Sequence, residues 1–366
     1  MKILLCPDKF KNSFSSRDLC ELLSDCFLQA SSKFEISQQA LADGGDGSLD
    51  IIKRQLDLSE QKVATCDALD RPIDSSYWFS NEAAYIEMAS ASGLAPLSFT
   101  ERSPLKTSTK GTGLMIKDAI EKGFTKIHLF VGGSASNDAG IGIAHALGFQ
   151  FLDKESQVLH PSGENLLKID RIEIGQAMDL AKVQIQILTD VNNVMHGPNG
   201  AAYNYAAQKG ANQSEVVLLD KGLQHFDTIL KDQFEKDISA QTGMGAAGAV
   251  AAALVGLMDA KIQNGFDMIA KLTDLECKIK QADLVITGEG RVDQSSFDGK
   301  VVGQVFSLCQ KHHIPCGLIA GSIDEGIKLP FLFQKSIISK AKNLEDALEH
   351  SNKYVAEIVE EITQSL

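Results

Sequence analysis

The chemistry-bearing residues of this chain gather in five short, glycine-rich stretches, each following an apolar run. Asp8, Lys9, Lys11 and Ser13 follow Pro7, and Asp43 and Asp46 stand among Gly44, Gly45 and Gly47. Ser134, Ser136, Asn137 and Asp138 follow Gly132 and Gly133, Asp190 precedes Asn192 and Asn193, and Glu289 and Asp293 follow Gly288 with Gly290 between them. Arg71, Lys209, Arg291 and Lys300 add cations. Carboxylates can hold Mg²⁺ or take a proton from a hydroxyl, and cations can neutralise phosphate oxygens. Phosphoryl transfer to an alcohol needs that mixture, so a small-molecule kinase is the leading reaction class.

Other machinery is missing from the string. There is no G-x-x-x-x-G-K-[ST], no H-R-D or D-F-G set, no G-x-S-x-G and no H-x-x-x-H. Gly243-Met-Gly-Ala-Ala-Gly248 matches G-x-G-x-x-G literally, but residues 231–241 before it are polar and helical in character where a dinucleotide site needs a strand. That argues against a nicotinamide-dependent 2-hydroxy-acid dehydrogenase and leaves close packing or approach by a phosphate as readings of the segment. A non-catalytic nucleotide- or anion-binding protein is the rival from another class. So many carboxylates would hinder plain anion binding. Residues 132–140 read either as a capped turn or as a site for a phosphate or hydroxy acid.

These stretches sit where the sequence pattern places junctions from strand to helix. Apolar runs at 2–5, 34–41, 126–131, 183–188, 283–287 and 316–320, with a weaker one at 336–338, read as strands, and Ser15 or Ser16 caps a helix carrying Leu19, Leu22, Leu23 and Phe27. Short alternating runs at 63–66, 73–79 and 83–88 lack intervening helices and read as antiparallel. Further helices are expected from 110, over 213–236, over about 301–311 and over 344–362, and the apolar stretch 246–258 reads as a buried helix too short to span a bilayer. With 366 residues, two domains are expected. The division predicted is an α/β domain from residues 1–66 plus 285–366, with N- and C-terminal segments sharing one sheet, and an inserted mixed α/β domain over 67–284.

A net charge of -13 argues against a nucleic-acid partner, and the N-terminus reads as a first strand, not a signal peptide. The seven cysteines include no C-x-x-C pair, so reduced thiols in the cytoplasm are expected, with no membrane partner. Oligomeric state, monomer or homodimer, is left open.

Pro7-Asp-Lys-Phe-Lys-Asn-Ser13, Ala42-Asp-Gly-Gly-Asp-Gly47, Gly132-Gly-Ser-Ala-Ser-Asn-Asp138, Thr189-Asp-Val-Asn-Asn193 with Gly197-Pro-Asn-Gly-Ala201, and Ile286-Thr-Gly-Glu-Gly-Arg-Val-Asp293 with Gly299-Lys300 occur in one order that resembles the successive signatures of the type I glycerate kinase family. The resemblance covers the chain from Met1 to about Ala320. Departures from the family pattern fall at Lys9 (commonly Ser), Asn12 (commonly Gly), Asp46 (commonly Glu) and Met195-His196; none removes the Lys11 charge.

The resemblance implies two α/β domains around a cleft, one of them Rossmann-like or flavodoxin-like with a mainly parallel sheet. It also implies ATP- and Mg²⁺-dependent phosphorylation of D-glycerate, with 2-phosphoglycerate as product; 3-phosphoglycerate or another small hydroxy acid are the alternatives. Within it Asp190 is expected to be the general base, its other reading being an acceptor for the N–H groups of an Asx turn. Lys11 and Lys300 are expected to act at the transferred group. Asp8, Lys9, Ser13, Arg71, Ser134, Ser136 and Asn137 would hold the substrate. Asp43, Gly44, Gly45, Gly288, Glu289 and Gly290 would line the nucleotide, with Asp293 and Glu289 binding Mg²⁺ through water.

Overall fold

The structure is a computed structural model that describes every residue except Lys11, Asn12, Asp46, Asp298 and Lys328. The chain divides into two compact units, the first made of residues 1–43, 50–55 and 264–366 and the second of 44–49 and 56–263. Strand Ser59–Cys66 pairs with Pro72–Ser80 in the second unit, and residues 264–284 pack with the first, so the boundaries differ from 66 and 285. The reason is local. Ser59–Cys66 and Pro72–Ser80 form one hairpin around a five-residue turn, and a hairpin is not divided between cores.

The first unit is built on a five-stranded sheet in the order Gln334–Ser336, Cys316–Ala320, Leu284–Thr287, Lys2–Leu5, Glu35–Gln38, and every pairing is parallel. Leu284–Thr287 and Cys316–Ala320 are buried along their whole length, which is why they read as unbroken apolar runs instead of alternating ones. In chain order the strands run 5-4-3-1-2, the flavodoxin-like arrangement, with its switch point between Lys2–Leu5 and Leu284–Thr287. Helix Ser16–Ala30 starts where Ser15 Oγ accepts the Asp18 N–H, and it buries Leu19, Leu23 and Phe27 at helical spacing. Helix Ser351–Ser365 contributes Val355, Ile358 and Ile362 to the same core. The single terminal helix expected over 344–362 is instead two, Leu344–Glu349 and Ser351–Ser365, with a break at His350.

The second unit holds a six-stranded mixed sheet in the order Lys261–Asn264, Gln184–Thr189, Lys126–Phe130, Ala83–Glu87, Pro72–Ser80, Ser59–Cys66. The expected antiparallel run is present, and Ala83–Glu87, Lys126–Phe130 and Gln184–Thr189 continue it in parallel. The helix of the apolar stretch is Ala251–Met258, almost wholly buried. No helix among the described residues is long and apolar enough to cross a membrane.

Candidate active site

In the second unit, Phe130 lies opposite Leu188 in adjacent parallel strands, so the loops 131–140 and 190–200 emerge side by side from the carboxyl ends. Open α/β sheets bind ligands at such ends. Asp190 is the first residue beyond its strand and lies near the Tyr205 phenol, whose pKa is raised by burial and then by that carboxylate. Tyr205 donates to Asn193 Oδ1 at 2.5 Å, and Asn193 Nδ2 donates to the Asn199 carbonyl at 3.0 Å, bracing the loop that carries Asp190.

Lys209, 2% exposed, donates from Nζ to the neighbouring loop 131–140, to Ser134 Oγ at 2.8 Å and to the Ser136 carbonyl at 2.7 Å. Burial lowers its pKa to about 7, against the pull of Asp138. The Ser136 hydroxyl and both polar atoms of the Asn137 side chain are buried and have no hydrogen-bond partner among the described residues. Buried polar groups are nearly always paired, so three orphans on two consecutive residues mark a place that a ligand or water completes. Asp138, by contrast, is fully employed. Its Oδ2 accepts from Thr109 N, Thr109 Oγ1 and Gly142 N, and its Oδ1 accepts from Gly140 N.

The stretch 243–248 packs on these loops. A Cβ on Gly248 would overlap the Ser136 carbonyl oxygen, and one on Gly245 would overlap that of Val194. Ala247 and Ala249 take positive φ angles of 52° and 61°, and Ala139 beside the loop takes 56°. Left-handed alanines cost of order 1 kcal/mol each and persist where surroundings over-determine them. The segment is therefore a strained wall of the loop cluster, its glycines serving close packing. The residues before it, after helix Gln213–Phe234, form no strand, which removes the dinucleotide reading.

In the first unit, Asp8 and Glu289 lie beyond the ends of Lys2–Leu5 and Leu284–Thr287, at the switch point, and the Asp8 N–H donates to the Gly288 carbonyl at 2.8 Å. Burial, then Asp43 and more weakly Glu289, raise the Asp8 carboxyl, while the Lys9 N–H on its Oδ1 opposes them. Glu289 is also raised by burial, with Asp293 and Asp43 adding to it, and its Oε1 is buried with no hydrogen-bond partner among the described residues. A Cβ on Gly288 would overlap the Ile319 carbonyl oxygen, so Gly288→Ala is expected to cost about 2 kcal/mol by forcing neighbouring strands apart, read as a lower urea midpoint.

Asp293, expected at the metal, accepts from Ser295 N and Oγ, capping the turn Gln294–Phe297, and Lys300, which donates to Ser295 Oγ, helps hold its carboxyl below the usual range. Among the described residues no three His, Cys, Asp or Glu side chains are grouped to hold a metal. Arg71, expected on the substrate, donates to Asp67 and Glu101, each at 2.5 Å, beside a cavity of about 380 Å³ that Gly93 and Leu97 also line. Ser13 N donates to Phe10 O within its own loop, Gly44 N donates to Ser48 Oγ, and Lys11 lies outside the described residues. Lys209 stood among the sequence's cations without a role; nothing local signals its burial.

Known proteins bear on this arrangement. The model of the glycerate kinase family matches residues 3–366. The glycerate 2-kinase of Escherichia coli is 34% identical over 330 residues, covering 89% of this chain and 87% of its own. The glycerate kinase of Halalkalibacterium halodurans is 32% identical over 367 residues, covering 98% and 97%. A crystal structure from Salmonella typhimurium LT2, provisionally assigned as glycerate kinase 2, superposes with a TM-score of 0.82 at 30% identity, covering 100% and 98%.

Proposed function

Because the chain belongs to the glycerate kinase family, we propose that it transfers the γ-phosphoryl group of ATP to D-glycerate, giving 2-phosphoglycerate and ADP, as a cytoplasmic enzyme. The observation that carries this reading is the loop cluster of the second unit. It brings a strand-end carboxylate, a buried ammonium and unpaired hydroxyl and amide groups to two adjacent strand ends.

In this reading Asp190 accepts the proton of the substrate hydroxyl as that oxygen attacks phosphorus. Ser134, Ser136 and Asn137 orient glycerate by hydrogen bonds, so that the 2-hydroxyl is the one presented. Arg71 would meet the carboxylate after exchanging Glu101 for it. In the first unit, Gly288 and Gly290 leave backbone free of side chains for the nucleotide, with Asp43, Gly44 and Gly45 at the neighbouring loop. Lys300 would offset phosphate charge.

Mg²⁺ fits the acidic groups. The orphaned Glu289 Oε1 and the raised carboxyls of Glu289 and Asp8 are what a cation would relieve, and Mg²⁺ usually keeps several waters, so no closed cage is needed. When bound it supplies charge neutralisation on the phosphates. Asp293, kept ionised beside Lys300, would join Glu289 in holding the ion through water.

The test is direct. Pure protein with ATP, Mg²⁺ and D-glycerate is expected to release ADP, and ³¹P NMR to show 2-phosphoglycerate. No ADP above background with glycerate or related hydroxy acids would overturn the kinase reading, and a 3-phosphoglycerate signal would overturn the regiochemistry.

A further inference from the structure

We propose that Lys209 is a positioning residue for the substrate's carboxylate, acting through Ser134. The proposal rests on the glycerate reading and assigns the ligand of one wall of that site. The Lys209 ammonium donates to Ser134 Oγ at 2.8 Å. A hydroxyl oxygen that accepts an N⁺–H has its own proton directed elsewhere, and the neighbouring charge makes that proton a stronger donor. Ser134 is thus fixed as a donor toward an anionic oxygen instead of as an acceptor.

The second bond of Lys209, to the Ser136 carbonyl at 2.7 Å, holds the backbone that carries the two unpartnered side chains. One ammonium therefore meets both the loop's backbone and its first serine, and sets the polarity of that serine. The loop's end is held independently by the four donors on Asp138. Its start is held by the Ala135 N–H on the Ser92 carbonyl and the Leu94 N–H on the Gly133 carbonyl, both 2.9 Å. Lys209 is consequently not needed to close the loop, and its isolated position, 75 residues away in sequence from Ser134, serves the polarity of the site.

Charge surrounds Lys209 unevenly. Asp138, in the same loop, favours its protonated form, but that carboxylate already receives four donors. Arg102, whose backbone lies against Gly210, turns its Nε to the Leu97 carbonyl. An arriving carboxylate finds an ammonium whose charge is only partly matched. With a pKa lowered to about 7, that charge is present below neutral pH and lost above it. A simple titration then raises the glycerate KM about fivefold between pH 7 and pH 8.

The experiment measures steady-state kinetics of the natural protein and of Lys209→Met, Lys209→Arg and Ser134→Ala, varying glycerate and ATP separately, with melting curves as a fold control. Lys209→Met and Ser134→Ala are expected to raise the glycerate KM by about tenfold or more, leaving the ATP KM within about twofold, and the double variant to be no worse than Lys209→Met alone. Lys209→Arg is expected to restore part of the affinity and to abolish the rise in KM above pH 7, since a guanidinium stays charged. If Ser134→Ala and Lys209→Arg keep the natural glycerate KM and its pH dependence, or if the ATP KM rises instead, the assignment falls. If the natural protein neither turns over glycerate nor binds it by calorimetry, the kinase reading falls with it.

Discussion

Asp190→Asn is expected to lower kcat by about 10²- to 10⁴-fold, with KM for glycerate and ATP changed by no more than a few-fold and the melting temperature unchanged. The substitution keeps the size and the acceptor oxygen of the side chain, so an Asx-turn role survives it, while a proton acceptor does not. Asp190 stands at the end of a buried strand whose register beside Lys126–Phe130 is fixed over five residue pairs. The following loop is held from the other side by Tyr205 and Asn193, and by the Gly245 N–H on the Asn193 carbonyl at 2.8 Å. A base must lie within hydrogen-bond reach of the proton it takes, and this bracing is what would keep the carboxylate in place through the reaction. Replacing Tyr205 by Phe would remove the brace without the base, so a smaller loss confined to kcat separates the two roles. Near-full turnover of Asp190→Asn with an unchanged pH profile would remove Asp190 from the mechanism.

The strand ends were legible in the sequence because each couples a short apolar run to glycine and acid, a signal that is local. That N- and C-terminal segments share one sheet followed from βα units at both termini; which strands pair, Lys2–Leu5 with Leu284–Thr287 in parallel, is seen only in the fold. What could not be read was set by long-range contact. Gly243-Met-Gly-Ala-Ala-Gly248 imitates a dinucleotide fingerprint, yet Gly245 and Gly248 are there because the Val194 and Ser136 carbonyls leave no room for a Cβ. Arg71 looks unattached in sequence, and its second partner, Glu101, lies 30 residues on. Strand Lys261–Asn264 went unseen because its edge position permits Lys and Asn where an inner strand would show apolar residues. The boundary at Ser59–Cys66 was obscured because antiparallel partnership depends on the hairpin's turn more than on composition.

The second large effect concerns Asp138, which the sequence leaves between catalyst and cap. Asp138→Ala is expected to destabilise the second unit by about 4 kcal/mol, read as a lower urea midpoint. It would strand the N–H groups of Thr109, Gly140 and Gly142 and the Thr109 hydroxyl in a fully buried place, and each orphaned donor costs roughly 1–3 kcal/mol, not additively. The carboxylate joins the N-terminal ends of two helices, Lys110–Glu121 through Thr109 and Ile141–Ala146 through Gly142, so removing it loosens both. Asp138→Asn should cost less than half as much, because the amide oxygen can take the three donors on Oδ2 and leaves only the Gly140 N–H facing an NH₂ group. A proton-transfer role predicts the opposite pattern, with stability preserved and kcat lost equally in both variants. The four donors use the carboxylate's accepting capacity so fully that a substrate proton would have to displace one of them, which is why the base is sought at Asp190. An Asp138→Ala protein that unfolds within about 1 kcal/mol of the natural one would show that these bonds contribute little, and would return Asp138 to the list of catalysts.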